Sequence, residues 1–293
     1  MVINLIGNVR DGKGLAADAR MLRSVLPHEI HDVQYDAREA PAADLNLFLE
    51  VSAPWLHRFA PRNVAVPNPE LWFEHDHARN EYDEIWAKTR HAATLMDFRI
   101  TRYTGWSTED LYLPEVERED VVLHLAGGSR FRNTVEVIAA WREHWEPTLP
   151  RLRVYGLPIV RQMVGPIPKG VEWIEWADRE DLIRDMNRCR YHLMPSQYEG
   201  YGVALWEGRS CDAIVVTTAA APMNEGPAAA LVPVQRYEPI RRRCLVEGAK
   251  VTPASIWYTM MRVFTAKDWT SNARSGWESE RKSFIQRITE AIG

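Results

Sequence analysis

Strand-like runs alternate with helix-like stretches almost from end to end of this 293-residue chain, and the alternation confines it to an α/β architecture with mostly parallel sheets. The pattern runs twice. Residues 2–6 read as a buried strand, 7–14 as a glycine-punctuated turn and 15–26 as a helix with one apolar face. Strands are expected again over 44–51 and 63–66, then a helix over 82–97. Residues 107–120 carry Pro114 and a run of acidic side chains with weak periodicity, and the apolar run 121–125 restarts the pattern. It continues as helix 133–145, strands 152–155 and 171–176, a helix 179–190 that Asp178 can cap, and strand 191–194. Helix 203–211, a β-rich run 213–218 and two terminal helices, 253–264 and 269–292, complete it. The expected division is a first Rossmann-like domain over 1–115, a second over 116–275, and a C-terminal helix, 276–293, that packs back on the first.

Composition excludes several classes. With 46% hydrophobic and 26% charged residues, the chain has the make-up of an ordinary folded protein with a sizeable core. Thirty-six basic against 40 acidic side chains leave a formal charge of -4, so there is no bulk pull toward nucleic acid or an anionic membrane. No membrane span is expected, because no run of 18 apolar residues occurs. The first residues lack a basic segment and a cleavage site, which points to a cytoplasmic protein. Cys189, Cys211 and Cys244 are odd in number and have no C-x-x-C spacing, so buried thiols are expected rather than disulfides or a zinc site. Most of the 12 tryptophans, among them Trp106, Trp141, Trp173, Trp176 and Trp206, are expected in the core.

One segment carries chemistry. In Pro195-Ser196-Gln197-Tyr198-Glu199-Gly200-Tyr201-Gly202 followed by Val203-Ala204-Leu205-Trp206-Glu207, two carboxylates stand seven residues apart across a loop-to-helix junction. Gly200 and Gly202 let backbone approach a ligand closely, and the helix N-terminus that follows offers N–H groups and a positive dipole end to phosphate oxygens. Glu207, one turn in and tilted toward that N-terminus, can accept hydrogen bonds from a ribose diol, while Glu199 faces sugar hydroxyls. This geometry suits a sugar nucleotide bound without a metal.

The segment resembles the E-x7-E motif of retaining GT-B glycosyltransferases, the group typified by glycosyltransferase family 4. The likeness extends through Pro222-Met223-Asn224-Glu225 and upstream to Leu125-Ala126-Gly127-Gly128-Ser129-Arg130-Phe131-Arg132-Asn133-Thr134, which is similar to the family's phosphate loop. It covers roughly residues 120–235; the first half matches only in element order. The resemblance implies a GT-B fold, two Rossmann-like domains facing across a cleft, and transfer of a sugar from a nucleotide-diphosphate sugar to a hydroxyl acceptor with no cofactor and no metal. It implies catalytic roles for Glu199 and Arg132, and donor contacts from Glu207, Arg130, Ser129, Gly200, Tyr201 and Gly202. Gly128 stands where the family has its first basic residue, leaving Arg130 to substitute. The acceptor stays open between a large acceptor or one carried on a polymer and a modified base in DNA, and a non-catalytic sugar-nucleotide binder is the further alternative.

Other segments are weaker. The loop 7–14 is glycine-rich but has neither G-x-G-x-x-G nor G-K-[ST], and Gly12 and Lys13 enter as donor-binding candidates through the resemblance alone. His75-Asp76-His77 lacks metal-ligand spacing and reads as a surface loop. Arg241-Arg242-Arg243 reads as an exposed turn, and Asn68-Pro69 and Lys88-Thr89 as candidate acceptor contacts without a specific signature.

Overall fold

The computed structural model describes residues 1–9, 14–71, 82–96, 100–240, 246–266 and 272–293. The chain forms two compact α/β units, the first built mainly from Met1–Glu109 and Ser279–Gly293, the second from Asp110–Pro239 and Glu247–Glu278.

In the first unit six strands lie parallel in the order β2-β1-β3-β4-β5-β6. They are β1 (Val2–Gly7), β2 (Glu29–Gln34), β3 (Leu45–Leu49), β4 (Arg62–Val66), β5 (Glu84–Ala87) and β6 (Thr101–Tyr103), with helices α1 (Gly14–Val25) and α2 (Arg90–Leu95). All five residues of β3 are buried, as expected of a parallel strand covered on both faces. An amide chain crosses this apolar layer: Asn4 Nδ2 donates to Asn46 Oδ1 at 2.9 Å, and Asn46 Nδ2 donates to Asn63 Oδ1 at 2.8 Å. These residues are register partners across β1, β3 and β4, and a one-residue slip would break the chain of bonds, so it pins the pairing. The helix expected over 82–97 is instead β5 followed by α2, with Thr89 capping α2 by accepting from Ala92 N. A short apolar run such as Ile85-Trp86-Ala87 has no period that separates strand from helix, and sheet pairing decided it.

At the carboxyl ends of these strands the first unit buries charge. The Lys88 ammonium, with its side chain 2% exposed, lies 3.1 Å from Asp18 Oδ2 and 3.2 Å from Glu50 Oε1. Trp106 Nε1 donates to Asp18 Oδ1 at 2.9 Å, and Asn68 Nδ2 donates to Glu50 Oε1. Burial, reinforced by the Asp18 charge, raises the Glu50 carboxyl, while both carboxylates hold Lys88 protonated against its own burial. The C-terminal segment packs here too: Phe284 and Ile288 are fully buried, with the Phe284 ring 5.4 Å from that of Trp106.

The second unit repeats the architecture. Its strands are β7 (Glu119–Gly127), β8 (Arg151–Gly156), β9 (Val171–Ile174), β10 (Cys189–Met194), β11 (Ile214–Thr218) and β12 (Ala230–Val232). They run parallel in the order β12-β11-β10-β7-β8-β9, which is the 3-2-1-4-5-6 order of a Rossmann sheet counted from β7. Helices α3 (Thr134–His144), α4 (Pro158–Arg161), α5 (Arg179–Arg188), α6 (Val203–Ser210) and α7 (Pro253–Thr265) accompany them, with a hairpin of β13 (Arg236–Pro239) and β14 (Glu247–Lys250); α8 (Ala273–Ile292) ends the chain. Asp178 stands at the cap of α5, yet its side chain makes no capping bond. Trp106, Trp141 and Trp206 are buried as expected, whereas Trp176 is 75% exposed. Cys189 and Cys211 are buried, their thiols pushed up to about 12 by burial; Cys244 lies outside the described residues. Among the described residues no helix is long and apolar enough to cross a membrane.

Replacing Lys88 by Met leaves two carboxylates buried without their cation and should cost roughly 3–5 kcal/mol at pH 7 by urea denaturation. Glu50, already raised by burial, loses in that variant the cation that lowers it, so the deficit should shrink as pH falls and this carboxyl protonates. A deficit independent of pH would remove the charge explanation.

Candidate functional site

Strand β7 ends at Gly127 and its neighbour β10 at Met194, and the chain leaves them toward opposite edges of the sheet. Outside such a switch point a parallel sheet has room for a ligand, because the two connections diverge. The loops leaving these two strands contain most of the candidate residues.

After β7, Gly127 turns at φ 54°, and Ser129 Oγ accepts from Phe131 N at 3.2 Å to open a single 3-10 turn, Arg130–Arg132. Asn133 follows in the left-handed region at φ 50°, a conformation that Asn tolerates better than most residues, and α3 begins behind it. Its Nδ2 donates to Pro195 O at 2.8 Å, while Gln197 N donates to Phe131 O at 2.7 Å. These two bonds tie the loop after β7 to the loop after β10.

The tie brings the two residues singled out for catalysis into contact. Arg132 Nη1 donates to Glu199 Oε1 as an ion pair and reaches Ser196 Oγ at 3.5 Å. Glu199 is 9% exposed, and Arg132 is the cation that faces it there. Below the pair, His124 on β7 is fully buried, its Nδ1–H donating to Leu193 O at 2.7 Å and its Nε2 accepting from Thr134 Oγ1 at 2.9 Å. Burial lowers this imidazole to about 4, and the Arg132 charge acts in the same direction, so it is neutral at pH 7.

The loop after β10 runs into α6. Gly202 stands at the helix cap at φ 84°, where a Cβ would lie 2.9 Å from Leu205 Cδ1; glycine is needed on both counts, and no side chain caps the helix. Glu207 sits half-buried one turn into α6. The Tyr201 ring lies buried and stacked parallel to that of Trp206, 5.6 Å between centroids and 2° apart, so its face packs on protein. Arg130 is exposed and rests over the Phe131 ring at 5.2 Å. Gly12, Lys13, His75-Asp76-His77 and Arg241-Arg242-Arg243 lie outside the described residues.

Three residues of this arrangement went unassigned in the sequence: Asn133, Gln197 and His124. Only Asn133 carried a usable signal, a turn-former placed between a 3-10 turn and a helix. The roles of the other two arise from contacts between segments distant in sequence.

No protein-family model matches the sequence, and no curated protein is matched by it. Solved structures do share its fold. HepE of Anabaena, solved with UDP and glucose, aligns over 100% of this chain and 99% of its own at 14% identity and a TM-score of 0.69. The sucrose-phosphate synthase of Thermosynechococcus elongatus aligns over 100% and 98% at 10% identity, with the same TM-score of 0.69. The GtfA/B complex aligns over 84% of this chain at 13% identity and a TM-score of 0.62, and there the chain spans 56% of its counterpart's length. The fold is therefore GT-B, two Rossmann-like α/β units.

A second buried imidazole, His192 on β10, is also lowered to about 4 by burial. Both histidines are protonated more readily unfolded than folded, so their contribution is intact above pH 6.5 and lost as pH falls toward 4. Each should withdraw up to about 1.4 kcal/mol per pH unit in that window. Urea midpoints across pH 7 to 4 should show the decline, with a shallower slope in His192→Gln; an identical slope would mean that this imidazole does not titrate on unfolding.

Proposed function

We propose that this chain is a glycosyltransferase that takes a nucleotide-diphosphate sugar on its second unit and transfers the sugar to a hydroxyl acceptor with retention of anomeric configuration. The observation that carries the proposal is the Arg132–Glu199 ion pair at the β7/β10 switch point, in a loop that runs into the glycine-capped α6 with Glu207 one turn along it. HepE, which shares the fold, was solved with UDP and with UDP-glucose, and this supports a uridine donor as the first to try.

The roles follow from charge. A departing nucleoside diphosphate must have its developing negative charge stabilised while the sugar becomes oxocarbenium-like. Arg132 supplies a planar guanidinium that can hold a phosphate bidentately, and in the free protein Glu199 keeps it oriented. The N-termini of α3 and α6 add the positive ends of two helix dipoles, so the diphosphate is held by protein groups without a metal. Arg130, exposed one position before Phe131, can close on the phosphate from solvent. Glu199 then hydrogen-bonds the donor sugar, and Glu207 the ribose. No side chain is assigned as a covalent nucleophile; retention is ascribed to attack on the same face from which the phosphate departs.

Calorimetry and thermal shift against UDP-, GDP-, ADP- and TDP-sugars, with and without Mg²⁺, test this. A donor at 100 times its Kd should stabilise the fold by about 2.7 kcal/mol. Glu199→Ala and Glu207→Ala should each lower kcat/KM, measured as transfer or as donor hydrolysis, by about 10²-fold. Donor binding without turnover would favour a non-catalytic binder, and absence of binding to every donor would overturn the proposal.

A further inference from the structure

Arg209, in the last turn of α6, is 1% exposed, and among the described residues no carboxylate is paired with it. Among the described residues its side chain makes one hydrogen bond, from Nε to Pro227 O at 2.7 Å; Nη2 is buried with no hydrogen-bond partner. Burial pulls the guanidinium down to about 10, which leaves it charged at neutral pH. Its Cζ stands over the Trp206 ring, 4.3 Å from the centroid, and the Trp206 ring is in turn stacked parallel to that of Tyr201. The result is a stack of contacts, guanidinium to indole to phenol ring, from the end of α6 to the loop that carries Glu199.

Beyond the stack, Arg209 fills the space over Gly226. A Cβ there would stand 2.6 Å from its Cζ and 2.9 Å from Nη2, so the segment 226–227 can close over the guanidinium only with glycine at 226. Stability alone does not account for such a residue. An apolar side chain of similar volume would fill the same space without burying an uncompensated charge, an exchange that is commonly neutral or stabilising. What Arg supplies and an aliphatic chain lacks is a flat cationic face for the indole and a donor for the Pro227 carbonyl. Before Glu199 the loop is held by the Gln197 backbone, and after it the buried Tyr201 ring, flanked by Gly200 and Gly202, holds the run into α6.

We propose that Arg209 is a positioning residue: acting through Trp206 and Tyr201, it joins the 226–227 segment to the Glu199 loop and keeps the Glu199 carboxylate in register with Arg132. The effect on donor rests on the proposed sugar-nucleotide site, whereas the stack itself does not. This assigns to the motif helix a third working residue beside Trp206 and Glu207, one that touches no substrate.

The test compares wild type with Arg209→Met, Arg209→Lys and Gly226→Ala. Near-UV circular dichroism without ligand should lose part of the signal of the stacked Tyr201–Trp206 pair in all three, since the lysine lacks a flat face and the added methyl group displaces the guanidinium. Arg209→Met should melt no lower than wild type, yet bind UDP-glucose about tenfold more weakly by calorimetry. UDP alone should lose less, because Glu199 is assigned to the sugar. A Met variant that melts lower while keeping both spectrum and UDP-glucose affinity would show a packing residue and overturn the inference. Should wild type bind neither UDP nor UDP-glucose nor any other sugar nucleotide, the functional proposal falls, and the spectra still decide: an unchanged spectrum in Arg209→Met overturns the stack's role.

Discussion

Strands β7 and β10 belong to distant parts of the chain, and their parallel pairing is what places Arg132 against Glu199, 67 positions away in sequence. With both strands buried, the polar groups beyond their ends have few ways to be satisfied. The loops answer by bonding to each other, Asn133 to Pro195 and Gln197 to Phe131, so the geometry of the ion pair follows from sheet register rather than from either loop alone. His124 belongs to the same logic: its two ring bonds join β7 to β10 and to the first residue of α3 directly below the pair.

Both units solve the same problem with different chemistry. The first buries Lys88 between Asp18 and Glu50 at its strand ends, a compensated cluster, and threads an amide chain through its core. The second leaves Arg209 uncompensated and stacked on aromatic rings. A paired buried charge is costly to break and contributes rigidity, whereas an unpaired one must find its stabilisation in dispersion, ring quadrupoles and a single carbonyl. The first arrangement reads as architecture, and the second lies next to the loop on which donor binding is proposed to depend.

The sequence was most legible where the signal is local. The apolar runs of β1, β3, β7, β10 and β11 and the amphipathic pattern of α1 and α5 place those elements within a residue or two of where they lie. Gly200 and Gly202 announced the tight junction into α6, and Gly202 does adopt the left-handed backbone that required it. Legibility failed for β5 and α2, where Glu84–Ala87 has no distinguishing period, and for β2, whose mixed residues Glu29-Ile30-His31-Asp32 hide a strand at the sheet edge. Edge strands are half solvated and so lack the apolar run by which buried ones are recognised.

From the sequence alone came the α/β class, the doubled pattern and Glu199 and Glu207 as candidates, because these depend on periodicity and spacing along the chain, while Arg130 and Arg132 came from the resemblance of their loop to a family motif. The tertiary structure alone decided that Arg132 and Glu199 form a pair, that Tyr201 packs its face on Trp206, and that Arg209 is buried behind them. The physical reason is that such contacts are set by which strands become neighbours and by what else competes for each buried polar group, and neither is written in any short stretch of sequence.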